Sequence, residues 1–441
     1  MPELSRRDFV KTAGTGFAAA AMTLAVARPA KAAPSERVRH AILGCGGQGR
    51  AHARIFHNLP DCDVVAVCDV DVSHLAQAAS ELDHSAGIRQ VEHFREVLDD
   101  KTIDSVSIAT PDHWHTPLAL LALEAGKHVY VEKPCCHTIE EGRLLQRAAT
   151  ATGKCVQHGT QSRSGEGIRS AVAFLHEGNL GKVRAAKAIN HQMRGAIGRA
   201  AVSSPPEGVN YDLWTGPAPA HPFTANRWHY NWHWFWDYGT GDMGNDGIHQ
   251  VDVARWGLGV GAPKSVTASG GQLYYDDDHE TPDTQIVVFD FEECQLVYEM
   301  RLWTNYPLEG HDNGVVFYGD KGTLEIGRNG CEVTIIGEEK KRLGGGGDID
   351  ANMRNFVDCV KRNDPKGLNA PIDEGVASVL LCHLGNIGTR LGKKLAMDGD
   401  TIANDAEAKA LESKAYRDGY GLPTVGQQPV ADVPDREISL L

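Results

Sequence analysis

VRHAILGCGGQGRAHARIF, residues 38–56, is the stretch that decides the fold of this chain. An apolar run predicts a β-strand, which enters a glycine-rich turn and is followed by a helical pattern of apolar residues. The glycines fit G-x-G-x-x-G in the strand–turn–helix context of a dinucleotide-binding domain. They let the backbone approach a pyrophosphate, which rests on amide groups at the helix N-terminus. The turn therefore predicts cofactor contacts from Gly44, Gly46, Gly47, Gln48 and Gly49.

The next apolar segment, DVVAVCDVD, supports this interpretation because its strand pattern ends in Asp69. A carboxylate at this distance from the glycine turn can accept hydrogen bonds from the adenosine ribose hydroxyls. Asp69 is followed by Val70, Asp71 and Val72, and none of these is an arginine that could bind a 2′-phosphate. We therefore expect NAD as the cofactor, and NADP is the less favoured alternative.

Strand and helix patterns alternate up to about residue 160. This alternation predicts an α/β Rossmann domain over residues 38–160, with a doubly wound parallel sheet whose ligands bind at the C-terminal ends of the strands. One such end carries the unusual sequence ATPDHWHTP. We expect it to contact the cofactor through Thr110, Pro111 and His115, although His115 could equally be a helix-start residue without a chemical role.

After residue 160 the pattern changes to longer alternating strands, among them TQIVVFDFEE and CQLVYEMRLW. Successive hairpin-like strands predict an α+β domain over residues 161–425, with a large, mostly antiparallel open sheet. Gln161 and Arg163 stand at the start of this domain, directly after the last strand of the first one. They are candidates for contact with the substrate or the cofactor.

Five motifs are spread along the chain: the glycine turn, ATPDHWHTP, VEKP, YDLWTGPAP and GTGDMGNDGIH. Together they resemble the Gfo/Idh/MocA oxidoreductases, a family that includes sugar and polyol dehydrogenases. The resemblance implies that Lys133 of VEKP lies beside the nicotinamide and the substrate, and that Glu132 contacts the cofactor. It also implies a homo-oligomer, a dimer or a tetramer, built on the open sheet of the second domain.

Members of this family place a catalytic pair in a D-x-G-x-H arrangement, which here is NDGIH, residues 245–249. His249 matches the family histidine and is the expected base, since an imidazole titrates near neutral pH. Asn245 stands at the position of the aspartate, and an amide cannot exchange protons. Asp246 and Asp242 are the neighbours that could replace it, and we expect Asp246 to act in catalysis with His249. Asn245 and His249 are also expected to contact the substrate.

Lys133 is the third expected catalytic residue. An ammonium group can stabilise the negative charge that develops on the oxygen of the alcohol while its hydride leaves. The alternative is that Lys133 is only a solvated residue after a strand, and its neighbours Glu132 and Pro134 favour the functional interpretation.

The segment RWHYNWHWFW, residues 227–236, holds four of the eight tryptophans of the chain. If it is extended, its aromatic residues alternate and share one face, and flat rings can cover the apolar faces of a sugar. We therefore expect Trp228 and Trp236 in a substrate wall, while the alternative is that this face is ordinary core. His229 and His233 have the spacing of two zinc ligands on a helix, but H-E-x-x-H is absent and the neighbours favour extended structure. No metal is expected.

Composition and the chain start set the remaining expectations. A net charge of −14 argues against a nucleic-acid partner, and ten irregularly spaced cysteines form neither a zinc pattern nor a disulfide framework. Residues 1–32 combine SRRDFVK, with Arg6 and Arg7, an apolar run and an A-x-A site, which predicts a twin-arginine export signal. We expect a periplasmic or secreted protein, exported in the folded state, without a membrane span.

An exported protein meets no exchangeable nicotinamide pool, so NAD would have to stay bound and be regenerated in place. The expected function is therefore hydride transfer between a secondary alcohol of a sugar, or a sugar derivative, and a retained NAD. The alternatives are an NAD-dependent glycoside hydrolase or epimerase that works through transient oxidation of the sugar. A non-catalytic sugar-binding protein is a further alternative, and the glycine turn, Asp69 and Lys133 count against it.

Overall fold

The computed structural model describes residues 37–82, 87–328, 330–423 and 425. The predicted export signal, residues 1–32, lies outside them. Within the described ranges, none of the helices combines the length and the apolar character that crossing a membrane requires. All ten cysteines are unpaired in this structure, and nine of them are buried.

The first domain alternates strands and helices: β1 Val38–Leu43, α1 Gly47–Asn58, β2 Cys62–Cys68, α2 Val72–Ser80, β3 Arg89–Val91, α3 Phe94–Leu98, β4 Ser105–Ile108, α4 Asp112–Glu124, β5 His128–Val131, α5 Ile139–Thr152 and β6 Val156–His158. The strands form one sheet in the order β3-β2-β1-β4-β5-β6, and every pairing is parallel. Every residue of β4 and β5 is buried, because helices cover both faces of the sheet. The predicted doubly wound Rossmann sheet is confirmed.

The second domain consists of α6 Glu166–His176, β7 Val183–His191, α7 Tyr211–Thr215, α8 Ile248–Leu258, β8 Ser265–Gly271, β9 Thr284–Asp290, β10 Gln295–Arg301, β11 Asn313–Gly319, β12 Gly322–Gly327, β13 Gly330–Ile335, β14 Lys341–Gly344, α9 Ile349–Arg362, α10 Ile372–Leu391, β15 Leu395–Asp398, β16 Thr401–Ile402 and α11 Ala406–Ala410. Its ten strands pair in the order β14-β13-β12-β11-β7-β10-β9-β8-β15-β16. Within this second sheet, as far as the structure describes it, β7–β10 is the only parallel pair. The predicted, mostly antiparallel sheet is confirmed.

One face of this sheet is the core of the domain. Helices α6, α8 and α10 pack on it, and they cover fully buried rings such as those of Phe289, Tyr298 and Phe317. The opposite face remains open, and Ile286 of β9 is 45% exposed there. An alternation of buried and exposed residues along β9 follows from this one-sided covering.

Helix α9 belongs to the second domain in sequence but packs on the first. Its residues Met353, Phe356 and Val357 share a buried cluster with Ile42 of β1 and Phe56 of α1. Helix α9 therefore covers part of one face of the nucleotide-binding sheet. This contact couples the two domains away from the C-terminal strand ends, where ligands of such sheets bind.

Residues 195–239, which we call the strap, leave β7 and cross the C-terminal edge of the first sheet before the chain reaches α8. Two backbone hydrogen bonds fasten the strap to the end of β2: Val72 N donates to Gly208 O (3.1 Å), and Asn210 N donates to Val70 O (2.8 Å). A third fastening comes from α4, where Trp114 Nε1 donates to the carbonyl of Trp214 (3.0 Å). The strap thus forms a wall opposite the glycine turn.

The prediction of an extended segment at residues 227–236 is wrong. The chain forms short 3₁₀ turns at Ala225–Arg227 and Asn231–Trp234. Such turns point successive side chains in several directions, so the aromatic rings do not share one face. Trp234 is buried, for example, whereas Tyr230 is 50% exposed.

Candidate functional site

A cleft of about 490 Å³ lies between the C-terminal edge of the first sheet and the strap. Its size is in the range of small-molecule and cofactor sites. The predicted site residues that line it are Gly44, Gly46, Gly47, Gln48, Asp69, Thr110, Pro111, His115, Glu132, Lys133 and Asn245. The strap contributes Leu213, Trp214, His229, Tyr230, Trp232 and His233.

The glycine turn is shaped for close backbone contacts and for an anion. Gly44 has a φ of +87°, and a Cβ there would lie 2.7 Å from the carbonyl carbon of Ala109. Around Gly47 nothing lies within 4 Å of the position of a Cβ, so a ligand can approach it. Helix α1 begins at Gly47 without a side-chain cap, and its first N–H groups suit the pyrophosphate of a dinucleotide.

Gly49 has a different role from the predicted cofactor contact. It does not line the cleft, and a Cβ there would lie 1.8 Å from the carbonyl oxygen of Gly44. The third glycine of the motif therefore lets helix α1 pack against the turn that precedes it. Its effect on a ligand is indirect, through the shape of the turn.

Asp69 lies at the end of β2 as predicted, and its carboxylate organises the adenosine end of the cleft. Oδ2 accepts a hydrogen bond from Cys45 N (2.6 Å), and Oδ1 accepts one from Asp71 N (2.9 Å). Glu92 lines the same end, and no arginine is among the cleft residues in the described part of the chain. A 2′-phosphate would meet two carboxylates here, whereas ribose hydroxyls would meet acceptors, so the residues fit NAD.

Glu132 is buried and ionised behind the glycine turn. Its Oε1 accepts a hydrogen bond from Gln48 Nε2 (3.0 Å) and lies 2.9 Å from His52 Nε2. Burial alone would raise the pKa of Glu132, but these contacts and the charge of Lys133 hold that pKa well below its usual range. Glu132 therefore ties helix α1 to the end of β5 and presents a fixed negative charge to the cleft.

Lys133 meets the second domain through Asn245. Lys133 Nζ donates to Asn245 Oδ1 (3.0 Å), and Asn245 Nδ2 donates to Asp242 Oδ1 (2.8 Å). Asp242 is fully buried and also accepts from Asn190 Nδ2 (2.9 Å) and pairs with Arg194 (2.9 Å). Burial raises the pKa of Asp242, while the charge of Arg194 lowers it. The oxygen of the Asn245 amide thus accepts a hydrogen bond from Lys133, and its nitrogen donates one to Asp242. An amide suits this position because the buried carboxylate of Asp242 needs a hydrogen-bond donor.

Asp246 is not brought to Lys133, contrary to its prediction as a catalytic residue. Its carboxylate accepts hydrogen bonds from Gln192 and from Asn313 Nδ2 (2.6 Å), and it does not line the cleft. The reason is the π-helical turn Met243–Gly247, in which consecutive side chains point to different sides. Asp242, rather than Asp246, is the carboxylate that supports Asn245 and Lys133.

His249, in the first turn of α8, is not among the residues that line the cleft, where it was expected to contact the substrate. Its buried Nδ1 has no hydrogen-bond partner among the described residues. Burial lowers the pKa of His249, and the positive charge of Lys133 lowers it further. The imidazole is therefore neutral at neutral pH and able to accept a proton.

The aromatic wall of the cleft consists of other residues than predicted. Trp228 packs on Trp214 with 5.3 Å between ring centroids, and Trp236 lies under the guanidinium of Arg390 at 4.7 Å. Neither lines the cleft, whereas Tyr230 and Trp232 do. The sequence pointed to the correct segment, but the 3₁₀ turns decide which rings face the ligand.

Gln161 and Arg163 do not form part of the cleft either. Arg163 is buried and pairs with Asp252 of α8 (2.8 Å) and with Glu374 of α10 (3.2 Å). The backbone carbonyl of Gln161 accepts from Asp348 N (3.3 Å), before α9. Both residues connect elements of the second domain, so their predicted contact with substrate or cofactor is replaced by a structural role.

Other residues of the cleft were missed by the sequence analysis. His74 and Glu92 lie in ordinary helix and turn patterns, and nothing in their local sequence marks them. Leu213 and Trp214 belong to the motif YDLWTGPAP, which contributed to the resemblance and could have indicated them. Arg194, the partner of Asp242, follows the polar end of β7 and could have been found from that signal.

Comparisons with known proteins agree with this architecture. Residues 38–160 match a model described as "Oxidoreductase family, NAD-binding Rossmann fold", and residues 195–422 match "Oxidoreductase family, C-terminal alpha/beta domain". A solved structure with a similar fold is the WlbA dehydrogenase from Bordetella pertussis in complex with NADH and UDP-GlcNAcA. Its TM-score is 0.61 at 20% identity, and the match covers 82% of this chain and 99% of that one.

Two curated relatives differ in how much of them is matched. A "Glycosyl hydrolase family 109 protein" from Saccharopolyspora erythraea is 31% identical over 205 residues, which cover 41% of this chain and 44% of the relative. The chain therefore spans less than half the length of that relative. An "Inositol 2-dehydrogenase" from Pseudarthrobacter chlorophenolicus is 26% identical over 367 residues, covering 82% of this chain and 97% of the relative.

Proposed function

Because the chain belongs to the Gfo/Idh/MocA oxidoreductase family, we propose that it oxidises a secondary alcohol of a sugar, or of a sugar derivative, with a retained NAD. The observation that carries this proposal is the contact chain Lys133–Asn245–Asp242, which reaches the cleft where a parallel sheet binds its cofactor. When bound, NAD accepts the hydride from the carbon that is oxidised. The residues of the chain provide the remaining steps.

His249 accepts the proton of the substrate hydroxyl. Its lowered pKa keeps the imidazole neutral, so a ring nitrogen can accept the proton; this role requires that the bound substrate brings its hydroxyl to His249, which is not part of the cleft lining. Lys133 donates a hydrogen bond to the same oxygen and stabilises the negative charge that develops on it. Trp232 lines the same cleft, and an apolar ring beside a charged group strengthens its electrostatic interactions.

Asn245 positions Lys133 without neutralising it. An aspartate in its place would form an ion pair with the ammonium group and reduce the positive charge that the substrate oxygen meets. The amide oxygen of Asn245 accepts a hydrogen bond from one of the three N–H groups of Lys133 Nζ. The other two N–H groups of Lys133 remain available to a substrate in the cleft. Asp242 in turn fixes the orientation of the amide, because it accepts from Asn245 Nδ2.

A glycoside hydrolase that works through transient oxidation is the second candidate. The relative from Saccharopolyspora erythraea, named a glycosyl hydrolase family 109 protein, favours it. In this chemistry the ketone formed by oxidation acidifies a neighbouring C–H bond, and a base takes that proton while the glycosidic leaving group is eliminated. Water then adds across the resulting C=C bond, and return of the hydride to the ketone completes hydrolysis without net oxidation. The same first step serves both functions, so the roles of Lys133 and His249 do not change.

The place of action and the assembly state complete the proposal. The export-signal pattern with Arg6 and Arg7 supports action in the periplasm or outside the cell. The open face of the second sheet supports a homo-oligomer, because Ile286 of β9 is exposed there. Size-exclusion chromatography with light scattering measures the assembly state, and a monomer would contradict this part.

The function is tested with mature protein purified without added cofactor. After denaturation, the released nicotinamide is quantified; free sugars and aryl glycosides are then added to native protein while the absorbance of reduced nicotinamide is followed. Lasting reduction by a free sugar supports an oxidoreductase, and release of the aryl group without net reduction supports the glycosidase. Absence of nicotinamide from the purified protein would contradict cofactor retention and favour a sugar-binding protein.

A further inference from the structure

A second group of titratable side chains lies at the adenosine end of the cleft, away from Lys133. Asp71 precedes helix α2, His74 lies in its first turn, and His229 comes from the strap. One potential ligand atom from each of the three residues lies within 4.8 Å of the others. His229 Nε2 is 2.8 Å from Asp71 Oδ2, and the two imidazole rings are 4.3 Å apart between centroids. No described step of the proposed reaction uses these groups.

The surrounding structure holds the three side chains in place. Asp71 caps helix α2, where Oδ1 accepts from Ser73 N (2.8 Å), and Oδ2 remains directed at His229. Asp71 also forms a backbone bridge with Val209 of the strap. His74 Nδ1 lies 3.4 Å from Asp69 Oδ2, on the side of the ring that faces the ribose end of the cleft. The ligand atoms are therefore presented by fixed elements and not by a mobile loop tip.

The charges around the group favour a cation. Asp69 lies 3.4 Å from His74 and Asp71 lies 2.8 Å from His229, so two carboxylates border the two imidazoles. A divalent cation placed between Asp71, His74 and His229 would be attracted by the carboxylates and could accept a lone pair from each ring.

We propose that Asp71, His74 and His229 bind a divalent transition-metal ion of the zinc class, which clamps the strap onto the nucleotide-binding domain. Two imidazole nitrogens and one carboxylate oxygen are a typical ligand set for zinc, with a fourth position left for water. Tetrahedral bonds of about 2.1 Å place neighbouring ligand atoms about 3.4 Å apart, so the observed group needs shifts of about an ångström.

No metal was expected from the local spacing of His229 and His233, and the proposed site uses a different set of ligands. His229 and His233 have the sequence spacing of two zinc ligands, but His233 Nδ1 faces the carbonyl of Tyr230 (2.5 Å). The partners of His229 are 158 and 155 residues earlier in the chain, at Asp71 and His74. Such a site has no local motif.

The consequence for function rests on the proposed NAD-dependent activity. His74 and His229 line the same cleft as Asp69, so a metal that joins them closes the adenosine end of the cofactor site. Opening the strap would then require breaking a metal–nitrogen bond. We expect the bound metal to slow the dissociation of NAD at least about tenfold.

The test uses the untagged mature protein, freed of metal with a chelator and then titrated with zinc in a calorimeter. The expected result is one zinc ion per chain, with affinity at least about tenfold weaker in both His229→Gln and His74→Gln. The matched control is His221→Gln, a half-exposed strap histidine that pairs with Asp237 and lies outside the site. Zinc affinity equal in wild type, His229→Gln and His74→Gln, or no zinc binding to folded wild type, would overturn the site.

Two further measurements keep the result unambiguous. Cobalt(II) bound to wild-type protein should show the intense visible absorption of a four-coordinate site, and the control variant should keep it; a spectrum of the six-coordinate aquo ion would overturn the site. The release of NAD is then measured with zinc and with chelator. Equal rates would overturn the clamping role. The zinc and cobalt measurements need no nicotinamide, so they separate failure of this inference from failure of the proposed function.

Discussion

Replacing Asn245 by aspartate tests the electrostatic argument at the centre of the site. The variant places a carboxylate where Asn245 Nδ2 now donates to Asp242 Oδ1 over 2.8 Å. Two carboxylates whose charges are about 4 Å apart repel by about 4 kcal/mol at an effective dielectric constant of about 20. This energy corresponds to about three pKa units, before Lys133 and Arg194 offset part of it.

The sign of the effect on stability follows from the protonation of the pair. The repulsion raises the folded-state pKa of the carboxyl pair above its unfolded value. At a pH below the pKa that the carboxyl has in the unfolded protein, about 4, the carboxyl is protonated in both the folded and the unfolded protein. The variant then has no electrostatic penalty. As the pH rises from there through the raised folded-state pKa, the variant progressively loses stability relative to wild type.

The assay is urea unfolding of wild type, Asn245→Asp and Asn305→Asp from about pH 4 to about pH 8. Asn305 is exposed and serves as the matched control for the added charge. We expect the difference in free energy of unfolding between Asn245→Asp and wild type to grow by about 2–4 kcal/mol over this range. A difference that does not change with pH, or the same change in Asn305→Asp, would refute the reasoning.

Three further predictions concern single side chains. Lys133→Met should lower the rate of hydride transfer by about 10²–10⁴-fold and leave the NAD content of the purified protein unchanged, measured by single-turnover absorbance and by extraction; a rate near that of wild type would exclude Lys133 from the chemistry. Gly49→Ala should unfold at a lower temperature in a thermal melt, because its Cβ would meet the Gly44 carbonyl. Gly47→Ala should melt at the temperature of wild type, because its Cβ would meet no protein atom, and NAD titration should show weaker binding. Arg163→Met should lower the free energy of unfolding by about 3–5 kcal/mol, because Asp252 remains buried without its partner, and equal denaturation midpoints would contradict this.

The parts of the site that lie close together in sequence could be predicted from it. The glycine turn and Asp69 follow from one strand–turn–helix unit and the strand after it, because the backbone geometry of such a unit depends on neighbouring residues. Gly49 was expected to contact the cofactor, but it allows helix α1 to pack on the turn, since a Cβ at this position would meet the carbonyl oxygen of Gly44. Lys133 could be placed because the end of a central parallel strand opens into the cleft.

Residues selected through a periodic pattern or a long-range contact could not be predicted in the same way. Trp228 and Trp236 were chosen on a period of two, which loses its meaning once the backbone forms 3₁₀ turns. Asp246 was chosen as the neighbour of Asn245, whereas a π-helical turn directs it to Gln192 and Asn313. Arg163 has its partner 89 residues later in the chain, and no local signal indicates such a pairing.

The central claim is that a hydride passes from a sugar carbon to a nicotinamide that the protein retains. The most direct measurement uses a sugar or glycoside turned over by the enzyme, deuterated at each ring carbon in turn, followed by mass spectrometry of the nicotinamide extracted after mixing. We predict that deuterium from one ring carbon appears in the nicotinamide of wild type and not of Lys133→Met. This holds whether the net reaction is oxidation or hydrolysis, because both begin with the same transfer. Turnover of substrate without deuterium in the nicotinamide from any position would contradict the account.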